Sequence, residues 1–184
     1  MDSEKIAVGI SSCLSGEAVR FNGQHKKSHF CWDVLSEYFR FTAVCPEMQA
    51  GLGVPRKPVR LVNDSQRIRV LQVDDHQIDV TEPLRTASEA LAADLSGVYG
   101  FIFMQKSPSC GLHTVKTYNP KGAVMENRAM GVFAQAMQQR YPLMPMEESG
   151  RLNDDVLREN FLLRVWAYRN LIDMVENNLS LNSL

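Results

Sequence analysis

Ile6-Ala7-Val8-Gly9-Ile10 runs directly into Ser11-Ser12-Cys13-Leu14-Ser15-Gly16. Five apolar residues without alternation are the pattern of a strand covered on both faces, as at the centre of a parallel sheet. The polar turn that ends the run leaves Cys13 just past the carboxyl end of that strand. The arrangement recurs twice. Phe41-Thr42-Ala43-Val44 predicts a second buried strand, stopping at Cys45-Pro46-Glu47, and Val98 to Met104 predicts a third, giving way at Lys106-Ser107-Pro108-Ser109-Cys110-Gly111. Between them the sequence predicts a short helix over His29–Tyr38, with Phe30, Val34 and Leu35 on one side. A small antiparallel hairpin follows, Val59–Val62 against Ile68–Val73 around Asn63-Asp64-Ser65. Thr81-Glu82-Pro83 opens a helix through Leu95 with Leu84, Leu91 and Leu95 inward. Ala129–Arg140 predicts another, with Val132, Phe133 and Met137 inward, and Pro142-Leu143-Met144-Pro145 a short final strand. Strands alternating with helices give an α/β fold: a mainly parallel open sheet, Rossmann-like, with flanking helices.

From Asn153 to about Leu179 runs one amphipathic pattern, Leu157, Phe161, Val165, Tyr168, Ile172, Val175 and Leu179. Asn153 or Asp154 would cap this helix, and Asp155 and Glu159 suit its positive end. Its apolar side could pack on the core, on a second subunit or on a further domain. The polar ending, Asn177-Asn178 to Asn182-Ser183, is expected to fray. Residues 1–150 are thus expected to form the main domain, with 151–184 a helical extension.

The 184 residues are 45% hydrophobic and 22% charged, with 20 basic against 21 acidic residues and a net charge of -1. A disordered or fibrous chain is excluded, and nothing in the overall charge calls for nucleic acid. Nowhere do 18 apolar residues run together, and Met1-Asp2-Ser3-Glu4-Lys5 lacks the layout of a secretory signal. A cytoplasmic location with reduced cysteines is the expectation.

In an open parallel sheet the carboxyl ends of the strands face one edge, where ligands bind. Cys13, Cys45 and Cys110 could therefore meet in one crevice despite their separation in the chain. The alternative is three unrelated buried thiols. Three converging thiolates suit a soft metal, either zinc or an iron–sulfur cluster, and leave one coordination position open, as a catalytic centre requires. Cys31, in a helical stretch between Phe30 and Trp32, reads as an ordinary buried residue.

Ser11-Ser12-Cys13-Leu14-Ser15-Gly16-Glu17-Ala18-Val19-Arg20-Phe21-Asn22-Gly23 resembles the opening motif of the TudS-type thiouracil desulfidase family, formerly a bacterial domain of unknown function. Cys45-Pro46-Glu47 with Gly51-Leu52-Gly53-Val54-Pro55-Arg56 resembles its second motif, and Lys106 to Gly111 its third. The resemblance runs in order over about residues 5 to 150. It implies that Cys13, Cys45 and Cys110 hold a [4Fe–4S] cluster whose fourth iron has no protein ligand. It also implies a desulfidase reaction without net redox change, in which the thiocarbonyl sulfur of a thiolated pyrimidine binds that iron and water replaces it at carbon. Glu47 is implied as the proton-handling residue and Ser107 as its helper. Two-domain relatives carry thiolated uridine in transfer RNA as the suggested substrate, and Gly150 to Asp154 resembles the stretch leading into their second domain, so this chain would be a trimmed or a natural short form.

The residue chemistry agrees. A thiocarbonyl is a soft donor suited to an exposed iron, and a carboxylate beside it can activate water. Arg20, Arg56 and Ser109, inside the motifs, are candidate substrate-binding residues. His25, Lys26, Lys27, Lys57 and Arg60 could meet phosphates if they share the crevice rim, although solvated surface charge is the plainer reading. His113 lines the pocket or is structural. An iron–sulfur or zinc-binding sensor without turnover is the competing reading.

Overall fold

The structure, a computed structural model, describes residues 5–64 and 67–177. Two sheets make up its framework. The first has the order β2-β1-β5-β8, all parallel: β1 (Ile6–Ser11), β2 (Phe39–Val44), β5 (Phe101–Phe103) and β8 (Met146–Glu148). β1 and β5, in its middle, are buried along their whole length, as their unbroken apolar runs require. Phe101 and Phe103 lie on one face with ring centroids 4.3 Å apart, and Phe133 of helix α4 (Val132–Arg140) meets both edge-on. Gly9 stands opposite Phe101, and a Cβ there would lie 2.3 Å from its ring. The other face is closed by the long helix α5 (Asp155–Asn177): Val165 and Phe161 press against Gly100, and Phe161 meets Phe39 edge-on. The first part of the C-terminal amphipathic face, Phe161 to Tyr168, is therefore spent on the core of this same chain, while Val175 is exposed and Leu179 lies outside the described residues. The outer side of the helix leaves Val156, Leu163 and Trp166 exposed.

The second sheet, order β4-β3-β6-β7, goes beyond the expected hairpin. β3 (Val59–Asn63) pairs antiparallel with β4 (Ile68–Gln72), and also parallel with β6 (Val115–Tyr118), which pairs antiparallel with β7 (Val124–Ala129). β7 escapes sequence reading because Met125-Glu126-Asn127-Arg128 carries no apolar alternation and is an exposed edge, and β6 because its alternation lasts only four residues. Helix α3 (Thr81–Asp94) seats Leu84 in a small core with Leu61, Val70 and Val115.

Other expectations need adjustment. Residues His29–Tyr38 do not form a regular helix: a single wide turn over Phe30–Val34 passes into a tight one over Leu35–Glu37, enough to bury Cys31 and Leu35. Helix α4 begins at Val132, because Ala129 ends β7. The last strand of the first sheet is Met146–Glu148 rather than Pro142–Pro145; proline has no N–H for a ladder, and Pro145 contributes only its carbonyl, to the Phe101 N–H at 3.0 Å. The hairpin tip at Ser65 and the polar ending from Asn178 lie outside the described residues.

Candidate active site

Where β1, β2 and β5 end, a cavity of about 380 Å³ opens. Cys13 sits in the single-turn helix α1 (Ser12–Ser15) directly after β1, and Cys45 caps the equally short α2 (Pro46–Gln49) directly after β2. Cys110 is farther from its strand, at the close of a loop that starts after Phe103. All three line this one cavity, and their sulfurs are near enough for the charges to act on one another. Cys31 is fully buried and does not line it.

The Cys110 loop is held from several sides. Lys106 takes a left-handed conformation (φ 60°) at its start. Ser107 Oγ accepts the Cys110 N–H at 3.1 Å, and the Val132 and Phe133 N–H groups at the head of α4 reach the Pro108 and Ser109 carbonyls at 3.1 and 2.8 Å. Gly131 is obligatory, since a Cβ would lie 2.5 Å from the Ser109 carbonyl oxygen. Just past the loop, the buried Glu148 carboxylate at the end of β8 accepts the N–H groups of Leu112 (2.9 Å) and His113 (3.0 Å) and the Thr114 hydroxyl. Glu148 lies outside the Pro142–Pro145 stretch that the sequence predicts as the last strand, so this support is not legible there. His113 itself is half exposed and does not line the cavity.

Glu47, two residues after Cys45, points into the same space and is clamped at both oxygens. Arg56, with a side chain only 8% exposed, reaches Oε2 through Nε at 2.8 Å and Nη2 at 2.5 Å. Ser109 donates its hydroxyl to Oε1 at 2.5 Å, and Ser107 Oγ lies 2.9 Å behind Ser109 Oγ. The structure thus puts Ser109, not Ser107, against the carboxylate, and gives Arg56 a carboxylate partner. Arg56 gets there because the chain turns at Gly53 (φ 67°) and the Arg56 N–H bonds the Phe21 carbonyl at 2.8 Å.

Of the other basic residues, Arg20, Lys26 and Lys106 line the cavity. Lys27 pairs with Asp33 at 2.9 Å and Lys57 with Asp74 at 3.0 Å, while Arg60 stacks over Tyr118. His25 is not on the cavity wall.

Burial pushes the Cys13 thiol up to about 11, with the Cys45 charge adding to the rise and Arg20 opposing it. Cys45 is raised mainly by burial, against N–H donation from Met48 and Glu47. Cys110 is raised furthest, by burial and then by the Cys45 and Cys13 charges, while a hydrogen bond from Ser11 works the other way. Cys13 and Cys110 are buried and Cys45 partly so, and their thiolate forms would repel one another; a bound metal would supply the positive charge that holds them as thiolates. Among the described residues no three His, Cys, Asp or Glu side chains form a group that could hold a metal ion. The donor set, three thiols on one cavity wall, is of the kind that soft metals and iron–sulfur clusters take.

Comparison with known proteins agrees with this geometry. Residues 8–149 match the model of the family described as 2-thiouracil desulfurase. The chain is 28% identical over 111 residues to YbbK of Bacillus subtilis (strain 168), a match covering 55% of this chain and 71% of that protein. Its fold is similar to that of the [4Fe-4S]-dependent thiouracil desulfidase TudS, with a TM-score of 0.62 and 29% identity over 86% of this chain and 99% of that one.

Proposed function

The chain belongs to the 2-thiouracil desulfurase family, and on that premise we propose that it is a [4Fe–4S]-dependent desulfidase that exchanges the thiocarbonyl sulfur of a thiolated pyrimidine for oxygen. The balance is one water consumed and one hydrogen sulfide released, with no electrons transferred. The observation that carries this reading is the sharing of one cavity by three thiols from three strand ends and a doubly clamped carboxylate.

Cys13, Cys45 and Cys110 hold the cluster. When bound, it supplies a soft Lewis acid for the substrate sulfur. Glu47 accepts a proton from the attacking water at Oε1, which takes only the Ser109 hydroxyl and keeps a second lone pair, whereas Oε2 is occupied by the two N–H groups of Arg56. Arg56 fixes the orientation of Glu47, and Ser109 with Ser107 behind it forms a short hydroxyl chain along which the proton returns towards the departing sulfur. Residues 1–150 form the catalytic unit, with 151–184 as its helical extension, of which Leu152, Phe161 and Val165 enter the core. Arg20, Lys26 and Lys106 on the wall support a substrate with an anionic portion, such as a thiouridine nucleotide or thiolated transfer RNA.

Anaerobically reconstituted protein given thiouracil should release sulfide and uracil in equal amounts. Thiouridine monophosphate and thiolated transfer RNA tested alongside rank the substrates. A protein that binds the cluster yet releases no sulfide from any of the three would be a sensor, and the desulfidase reading would fail.

A further inference from the structure

Helix α5 has two apolar sides. Phe161, Val165 and Tyr168 face the core. Opposite them, Val156, Asn160, Leu163, Ala167, Asn170 and Met174 are all exposed, Val156 at 77% and Leu163 at 69%. Successive members are four, three, four, three and four residues apart, over most of this 23-residue helix. That alternation is the seam spacing of a two-stranded coiled coil, and scattered surface side chains do not keep it.

The residues flanking the seam identify what covers it. When two copies of α5 lie parallel and in register, Glu159 of each falls beside Arg164 of the other, and Trp166 beside Leu171. Glu159 is 73% exposed with only Arg158 Nε at 4.0 Å, and Arg164 makes no ion pair among the described residues, so both charges are open to a second chain. Trp166 and Leu171 are 45% and 43% exposed, apolar surface that the same contact would remove from water. Asn160 and Asn170 each meet their own copy, amide to amide, which pins the register. Reversing one helix instead sets Glu159 against Asp173 and Arg164 against its own copy, both repulsive. With a net charge of -1, nothing in the overall field keeps two copies apart.

We propose that the outer face of α5 is the interface of a homodimer in which the two α5 helices run parallel and in register, Glu159 of each copy paired with Arg164 of the other. The contact is isologous, so one two-fold axis closes it and no filament grows. The seam is short and holds two asparagines, which makes the association reversible and dependent on concentration. None of these residues lines the cavity, so the proposal stands or falls independently of the desulfidase reading.

Sedimentation velocity of the full chain over a concentration series should show monomer giving way to dimer. Leu163→Glu, at an exposed position, should keep the wild-type circular dichroism and raise the dimer dissociation constant by at least about tenfold. Arg164→Glu should weaken the dimer several-fold, and Glu159→Arg combined with Arg164→Glu should restore it. Asn160→Cys, mildly oxidised, should yield a disulfide-linked dimer that wild type does not form. A chain that stays monomeric into the high micromolar range overturns the proposal, and so does a dimer indifferent to Leu163→Glu, which must use another surface. Cross-linking that requires Asn170→Cys together with Asn160→Cys means antiparallel helices and overturns the parallel arrangement. If Leu163→Glu does not fold, the charge exchange decides: restoration by the double variant supports the interface, and its absence overturns it.

Discussion

The two sheets are the same size and are built to different ends. In the parallel sheet every strand finishes on one edge, so three loops from distant parts of the sequence converge there and carry Cys13, Cys45 and Cys110 into one cavity. In the second sheet three strand contacts are two antiparallel and one parallel, strand ends point both ways, and β7 lies open to solvent. That sheet supplies a wall, through Pro58 and Val59, and anchors the segment from which Arg56 reaches Glu47. Uniform strand direction concentrates chemistry, and mixed direction yields a buttress.

The sharpest way to break this contrast is to remove a thiol at the parallel edge. Cys110→Ser should lose most bound iron and acid-labile sulfide and all sulfide release, as metal analysis and an anaerobic assay would show. Glu47→Gln comes next. It preserves the shape against Arg56 and Ser109 and removes the proton acceptor, so kcat should fall by roughly 10²–10⁴ with the cluster spectrum intact. Unchanged turnover would mean that Glu47 serves only the loop. Phe103→Ala, in the aromatic cluster with Phe101 and Phe133, tests the scaffold behind the edge. It should cost about 3–5 kcal/mol in denaturant unfolding. Met125→Gln, on the exposed strand β7, is the smallest: its stability should stay within about 0.5 kcal/mol of wild type and its activity should be unaltered. A large effect there would show that the second sheet is covered in the working protein.

Burial on both faces writes continuous apolar runs into a chain, and those runs can be read without a structure. Ile6–Ile10 is such a run, whereas Phe41–Val44, expected to be buried, lies on the edge strand β2 with Thr42 exposed and its neighbours half-buried; the thiols after both strands still fall on a common edge. The second sheet hid its extent because β6 is a four-residue strand that adds only Val115 to the apolar core of Leu61 and Val70, while β7 buries almost nothing. The last parallel strand, Met146–Glu148, follows the predicted Pro142–Pro145 stretch, because Pro142 and Pro145 flank an apolar pair that the ladder does not use.

The sequence by itself determined the α/β alternation, the three strand-end thiols and the carboxylate beside one of them, since each is a local pattern of residue types. Tertiary structure alone decided that Arg56 grips Glu47, that Ser109 rather than Ser107 meets it, and that Glu148 and Ser11 support the Cys110 loop. These are contacts between segments up to 93 positions apart, Ser11 to Met104 being the longest of those at the site. Hydrogen-bond partners are chosen by direction and by the exclusion of water, and both exist only once the strands have closed around the cavity.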